Sequence, residues 1–444
     1  MSRHLALAGL IVAGLARTVS SQSPPPAPPN AAAQCQSDAL AFQAKRFADM
    51  RSGGTLLTAE SVAPIQAEGK RMARECASRI AIESASPSEL ASLTSLYLFT
   101  LDTAKAKTVS ALALSRPGMP ETERANAMVA AVQLSIATFD PFTGINQDAE
   151  RFVRQIDQLS DAVIQQKIRA HENLLGRYEY ADNDSGIRDH AHKLLALARK
   201  ALASGALGMT PPRPGVPSAS AAYPVMATAY SSLARGQADF LHADSALMIL
   251  DEADRVLGSA FPDSHRYLDG QREMYKLVGT KATPVDGKWW INSGDGAAAA
   301  LEPGNGKVTL IQFTAHWCVP CRHSYPGMLA MSKHFAGKPV ESVFETYLYG
   351  YLGKKRPLTP EQEVAEDRSY YAGEWALPFK IAVNPLPARG DTTTKDTEGR
   401  YAVQGIPQIV VVDRKGVIRA TVIGWDEGNE KRLTAFIDKL LAER

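Results

Sequence analysis

Apolar residues recur at helical spacing through most of the first 260 positions and give way to short β-branched runs only near the end. From about Ala39 to Lys200 few stretches alternate with a period of two, which predicts an all-α region of helical hairpins. Ser86-Pro87-Ser88-Glu89 reads as a capping box with Pro at the first helical position, opening a periodic stretch from Leu90 to Leu114. Pro117-Gly118 ends it, and Pro120-Glu121 starts a helix to about Thr138. Asp140-Pro141 to Asn146 reads as a loop, and Phe152, Ile156, Leu159, Val163 and Ile164 mark the next amphipathic face. Beyond the Pro-rich stretch Thr210–Ser218, a helical pair is expected over roughly Ala221–Gly236 and Ala238–Leu257. These hairpins read equally as weakly tetratricopeptide-like or as an irregular bundle, because the signature Trp and Gly positions and a fixed period are absent.

Near Gly279 the pattern changes. Val308–Thr314 reads as a buried strand, followed by His316-Trp317-Cys318-Val319-Pro320-Cys321 and a helix to about Phe335. Thr359 and Pro360 open another helix before a strand at Pro378–Val383. Gly405-Ile406-Pro407-Gln408 leads into a hairpin with strands Ile409–Asp413 and Val417–Ile423, and Leu433–Leu441 closes the chain as a helix. Tyr347, Tyr349, Tyr351, Tyr370, Tyr371 and Trp375 form an aromatic group whose ordinary fate is core packing.

A chain of 444 residues is long enough for two or three units. The expected division is a signal peptide over 1–21, a Pro-rich linker over 22–34, a helical domain over 35–205, a second Pro-rich linker over 206–220, a helical hairpin segment over 221–275 and an α/β domain over 276–444. Leu5–Ala16 has the length of a signal core and is too short to span a bilayer, so the mature chain is expected outside the cytoplasm and membrane-bound only if the signal stays uncleaved. A net charge of +2 without a basic run gives no footprint for nucleic acid. In an oxidising compartment Cys35 and Cys76 are expected to form a structural disulfide, the alternative being two buried inert thiols. His190 and His192 lie two apart on a helix, face different directions and are expected to be solvated, not to bind metal.

The chemistry concentrates at Cys318 and Cys321. A cysteine at a helix N-terminus meets unpaired amide N–H groups and the positive end of the helix dipole, which stabilise a thiolate. A second cysteine one turn on can attack a mixed disulfide formed at the first. A zinc site would need two further ligands at suitable spacing and no second CxxC exists, so no metal and no cofactor are expected.

WCVPC after a strand, Pro326 in the helix that follows, GIPQ before VVVD and the opening segment Gly279–Pro284 together resemble the thioredoxin superfamily, most closely its extracytoplasmic TlpA/ResA-like branch. The resemblance covers about Gly279 to Arg444. It implies a thioredoxin fold, exchange through Cys318 and Cys321 as a redox-active disulfide, a cis Pro407, and a substrate surface at Trp317, Ile406 and Pro407. The partners it implies are client proteins bearing thiols or disulfides and a redox partner protein, with reduction the expected direction. Two departures bear on proton handling. Gln312 stands where thioredoxins have a buried carboxylate six positions before the first Cys, and Ser324 stands where the branch commonly has Glu. Water, His316 or His323 would have to serve instead. The alternatives are a thiol peroxidase, disfavoured because Ala315 holds the place of its Thr or Ser, and a helical interaction scaffold with a non-catalytic thioredoxin-like domain.

Overall fold

The computed structural model describes residues 30–52, 59–140, 142, 144, 146–209, 221–237, 243–293, 300–387, 396–425 and 427–443. The expected signal peptide, most of the first linker and the Pro-rich stretch Thr210–Ser218 lie outside the described residues. The helical region comprises α1 Ala31–Ser52, α2 Ala59–Ala77, α3 Pro87–Phe99, α4 Thr103–Ser115, α5 Glu121–Thr138, α6 Gln147–Asp157, α7 Ile164–Ala181, α8 Asp184–Ala203, α9 Ala222–Gln237, α10 Ala243–Leu257 and α11 His265–Lys276. Among the described residues no helix is long and apolar enough to cross a membrane.

Local chemistry explains the boundaries. Ser86 accepts the Glu89 N–H at 3.1 Å with Pro87 at the first helical position. The stretch read as one helix from Leu90 to Leu114 is two: the chain turns at Leu101 with φ 65°, and Asp102 caps the second helix by accepting the Lys105 N–H at 3.1 Å. An Asp able to satisfy a helix N-terminus outweighs continuous apolar periodicity. α1 begins at Ala31, within the stretch 22–34 expected as a Pro-rich linker.

Two cores build this region. The first unites α1–α4 around Leu90, Leu93, Leu96 and Val109, and includes Cys35, which is bonded to Cys76 with Cα atoms 5.7 Å apart. Closing a loop of 41 residues lowers unfolded-chain entropy by an amount worth roughly 3–4 kcal/mol. The second core runs from Val129 and Val153 through Leu174, Leu194, Val225 and Tyr230 to Leu250 and Met274. It therefore crosses the expected linker at 206–220: helices on both sides of that stretch share one interior. His190 also departs from expectation. It is buried, with Nδ1 2.7 Å from Nδ1 of His171 and Nε2 3.0 Å from Glu150, while His171 Nε2 lies 3.1 Å from Asp157. Two half-buried carboxylate partners make burial of these rings tolerable.

The last third is one mixed sheet: β1 Trp289–Ile291, β2 Val308–Phe313, β3 Val340–Leu348, β4 Lys380–Pro385, β5 Gln408–Val412 and β6 Ile418–Ile423, in the spatial order β1-β4-β3-β2-β5-β6. β2 and β4 run parallel to β3, whereas β1 is antiparallel to β4, β5 to β2, and β6 to β5. Central β2 is buried at every position, which is why it reads as a mainly apolar run without alternation. Helices α12 Val319–His334, α13 Pro360–Arg368, α14 Thr397–Arg400 and α15 Glu427–Ala442 complete the unit. Thr359 and Gln362 form a reciprocal capping box on α13.

Helical region and sheet domain are docked. The residue joining α7 to α8, Asp182, adopts the left-handed conformation, pairs with Arg235 at 3.1 Å and accepts Asn429 Nδ2–H at 2.8 Å; Arg432 meets Asp184 at 2.9 Å. Ala402 and Ile423 pack against the helical core. Gly424, with φ +86°, has no room for a Cβ, which would lie 2.6 Å from Asp182 Cγ. Gly424→Ala is therefore expected to cost about 2 kcal/mol through backbone strain and contact with Asp182. Denaturant unfolding checks this, and an unchanged midpoint would show that the junction absorbs a methyl group.

Candidate active site

β2 delivers the chain to a short loop, and Cys318 is the N-cap of α12, with Val319 and Pro320 at its first two positions. The Cys318 sulfur accepts the backbone N–H of Cys321 at 3.1 Å, the bond a capping side chain normally makes. Cys318 and Cys321 are disulfide-bonded with Cα atoms 5.2 Å apart. Cys318 is only 3% exposed and Cys321 wholly buried, while Trp317 beside them is 47% exposed. The Ile406–Pro407 peptide bond is cis, and the Ile406 carbonyl oxygen lies 3.6 Å from the Cys318 sulfur. The Trp317 ring meets Tyr349 edge-on at 5.5 Å.

Beneath Cys321, the two residues that replace expected carboxylates hold each other. Gln312 Nε2–H donates to Ser324 Oγ at 2.8 Å, and Ser324 donates to the Cys321 carbonyl at 2.6 Å. Gln312 Oε1 is buried without a hydrogen-bond partner among the described residues. This pair is polar but does not titrate near neutral pH, so it orients Cys321 without accepting its proton.

Neither nearby histidine is hydrogen-bonded to a cysteine. His316 is buried, its ring meets Tyr349 and Tyr351 edge-on, and burial pushes its pKa down to about 4, so it is neutral at pH 7. Its Nε2 lies 4.0 Å from Glu363, whose carboxylate already accepts the N–H groups of Tyr349 and Gly350 at 2.6 Å each. His323 stacks on Phe142 of the helical region at 3.7 Å between ring centres.

Buried acids escaped the sequence reading. Asp367 is fully buried, neither carboxyl oxygen has a hydrogen-bond partner among the described residues, and desolvation, with Glu363 adding to it, pushes its pKa up to about 8. Glu345 on β3 is raised well above the usual carboxylate range by burial and by Glu398, itself raised to about 7 by burial and by Asp396. The sequence signal for Glu345 is its place between the apolar Val343-Phe344 and Tyr347-Leu348 pairs of β3.

No family model matches the chain. The Thioredoxin-like protein YneN of Bacillus subtilis is 25% identical over 129 residues, which is 29% of this chain and 64% of the relative, so the chain spans less than two thirds of that relative's length. The last third of the chain is thus similar in sequence to a thioredoxin-like protein. Solved structures of similar fold include a thiol-disulfide isomerase from Corynebacterium glutamicum, at 21% identity over 37% of this chain and 98% of that one with TM-score 0.30. Another is the thioredoxin domain of a thiol-disulfide oxidoreductase from Bacteroides vulgatus, at 21% identity over 37% and 97% with TM-score 0.28.

In the sheet domain Trp317, Cys318 and Ile406 line one cleft of about 320 Å³, with Pro407 adjoining through its cis bond. The helical region lines the same cleft with Glu179, Tyr180 and Arg235. Cys35 and Cys76 lie apart from it, in the first helical core. The aromatics noted in the sequence divide: Tyr371 is fully buried and Tyr325 packs edge-on against it and Trp375, whereas Tyr349 reaches Trp317.

Proposed function

We propose that this chain is a thiol–disulfide oxidoreductase acting on protein substrates outside the cytoplasm, in the reducing direction. The observation that carries it is a disulfide whose first sulfur caps a helix N-terminus 3.6 Å from the carbonyl oxygen before a cis-proline. In the reduced protein the helix N-terminus stabilises a Cys318 thiolate. That thiolate attacks one sulfur of a client disulfide, the client S–S bond breaks, and the departing client thiolate takes a proton. Cys321 then loses its proton and attacks the Cys318 sulfur, which releases the second client thiol and leaves Cys318 and Cys321 oxidised. Two electrons have passed to the client, and a dithiol partner protein restores the pair. Trp317 and Pro407 shape the contact surface and the Ile406 backbone pairs with the client strand. The signal-like N-terminus and the Cys35–Cys76 disulfide support an oxidising compartment.

The test is insulin reduction driven by dithiothreitol. Turnover well above that of dithiothreitol alone is expected, together with a reduction potential nearer thioredoxin's value of about −270 mV than about −120 mV. A folded chain giving no acceleration would overturn the enzymatic reading and favour the scaffold.

A further inference from the structure

The cleft at the cysteines is shared by two domains. Its helical wall is fixed in place: Arg235 donates to the Glu179 carbonyl at 2.7 Å and pairs with Asp182, Ser232 donates to the Glu179 carboxylate at 2.6 Å, and Asp182 in turn holds Asn429 of the sheet domain. Arg235 and Glu179 on this wall thus each have partners within the protein, although Arg235 Nε is buried without one among the described residues. Tyr180 differs. It is 43% exposed, and its ring is held by Phe142 at 5.6 Å and by the Arg177 guanidinium at 5.4 Å. Trp317, equally exposed, lines the same cleft.

Size and chemistry narrow the occupant. A volume of about 320 Å³ is at the low end for a ligand cleft. Cys318 is only 3% exposed, so a client must reach its sulfur through this cleft. An extended segment fits: its backbone can run along Ile406, and one side chain can enter between the helical wall and the motif. Two exposed rings, Tyr180 on the helical wall and Trp317 beside the cysteines, favour an apolar side chain there.

We propose that the helical region is the specificity element of this site: Tyr180 and Trp317 together seat an apolar residue adjacent to the cysteine of an extended polypeptide segment. This rests on the exchange chemistry proposed above. In the reaction Cys318 thiolate forms the new S–S bond with the segment's cysteine, and the group formerly bonded to that sulfur leaves with the electron pair as a thiolate.

The experiment uses the full reduced chain and two peptides identical except for Cys-Leu or Cys-Asn, each as a mixed disulfide with thionitrobenzoate, whose release is followed by absorbance. Wild type is expected to favour the Leu peptide about tenfold in kcat/KM, the size of effect one buried aliphatic side chain supplies. Tyr180→Ala should bring the ratio to within twofold of one, mainly by raising KM for the Leu peptide, whereas Tyr180→Phe should keep it. A wild-type ratio near one, a ratio unmoved by Tyr180→Ala, or oxidised glutathione reacting faster than either peptide would overturn the proposal. Absence of thionitrobenzoate release from every substrate would instead overturn the exchange reading on which it stands.

Discussion

A Cys318→Ser chain should reduce insulin no faster than dithiothreitol alone, a loss of at least about a thousandfold in turnover. The corresponding Cys321→Ser chain should also fail to turn over but for a different reason: it should accumulate a mixed disulfide with its client. The asymmetry follows from placement. Cys318 sits at the N-cap, where its sulfur accepts the Cys321 N–H and meets the positive end of α12, and it borders the open cleft. Cys321 is wholly buried one turn deeper, above the Gln312–Ser324 pair, where a client sulfur cannot reach it but the Cys318 sulfur can. Non-reducing electrophoresis and intact mass of the trapped adduct check both halves. Retained turnover in Cys318→Ser would mean that the reacting sulfur has been misassigned.

The core of that prediction was readable in the chain because its determinants are local. A buried strand, a cysteine at a helix start and a proline that the first turn tolerates are set by neighbours within a few residues, and β2 and α12 follow from them. Gln312 and Ser324 were visible as departures from a pattern, yet nothing in their spacing says that they hydrogen-bond to each other across strand and helix. The cleft wall was less accessible still. Tyr180 and Arg235 lie far from Cys318 in sequence and reach it only because Asp182 and Asp184, at the turn between α7 and α8, meet Asn429 and Arg432 on α15. His190 failed for a related reason: helical spacing shows which way a side chain points, not which carboxylate awaits it.

The same blindness hid Asp367, and it governs how stability should depend on pH. A carboxyl group with no hydrogen-bond partner resists ionisation when buried, and Asp367 has its pKa raised to about 8 from an ordinary value of 3.8. Below about pH 4 it is protonated both folded and unfolded, so its contribution to stability is fully present. As pH rises, the unfolded chain releases the proton first while the folded chain retains it. Stability then falls by about 1.4 kcal/mol per pH unit until the folded group ionises near pH 8, for a total on the order of 5 kcal/mol. Glu345 and Glu398 act in the same sense, since both are raised. Asp367→Asn removes the charge while keeping the shape. Its amide gains no partner, a cost equal at every pH, so the decisive quantity is the difference between two pH values. The variant is expected to unfold roughly 10 °C higher than wild type at pH 8.5 once the offset seen at pH 4 is subtracted. Parallel melting curves with a constant separation from pH 4 to 8.5 would show that Asp367 is ionised in the folded state.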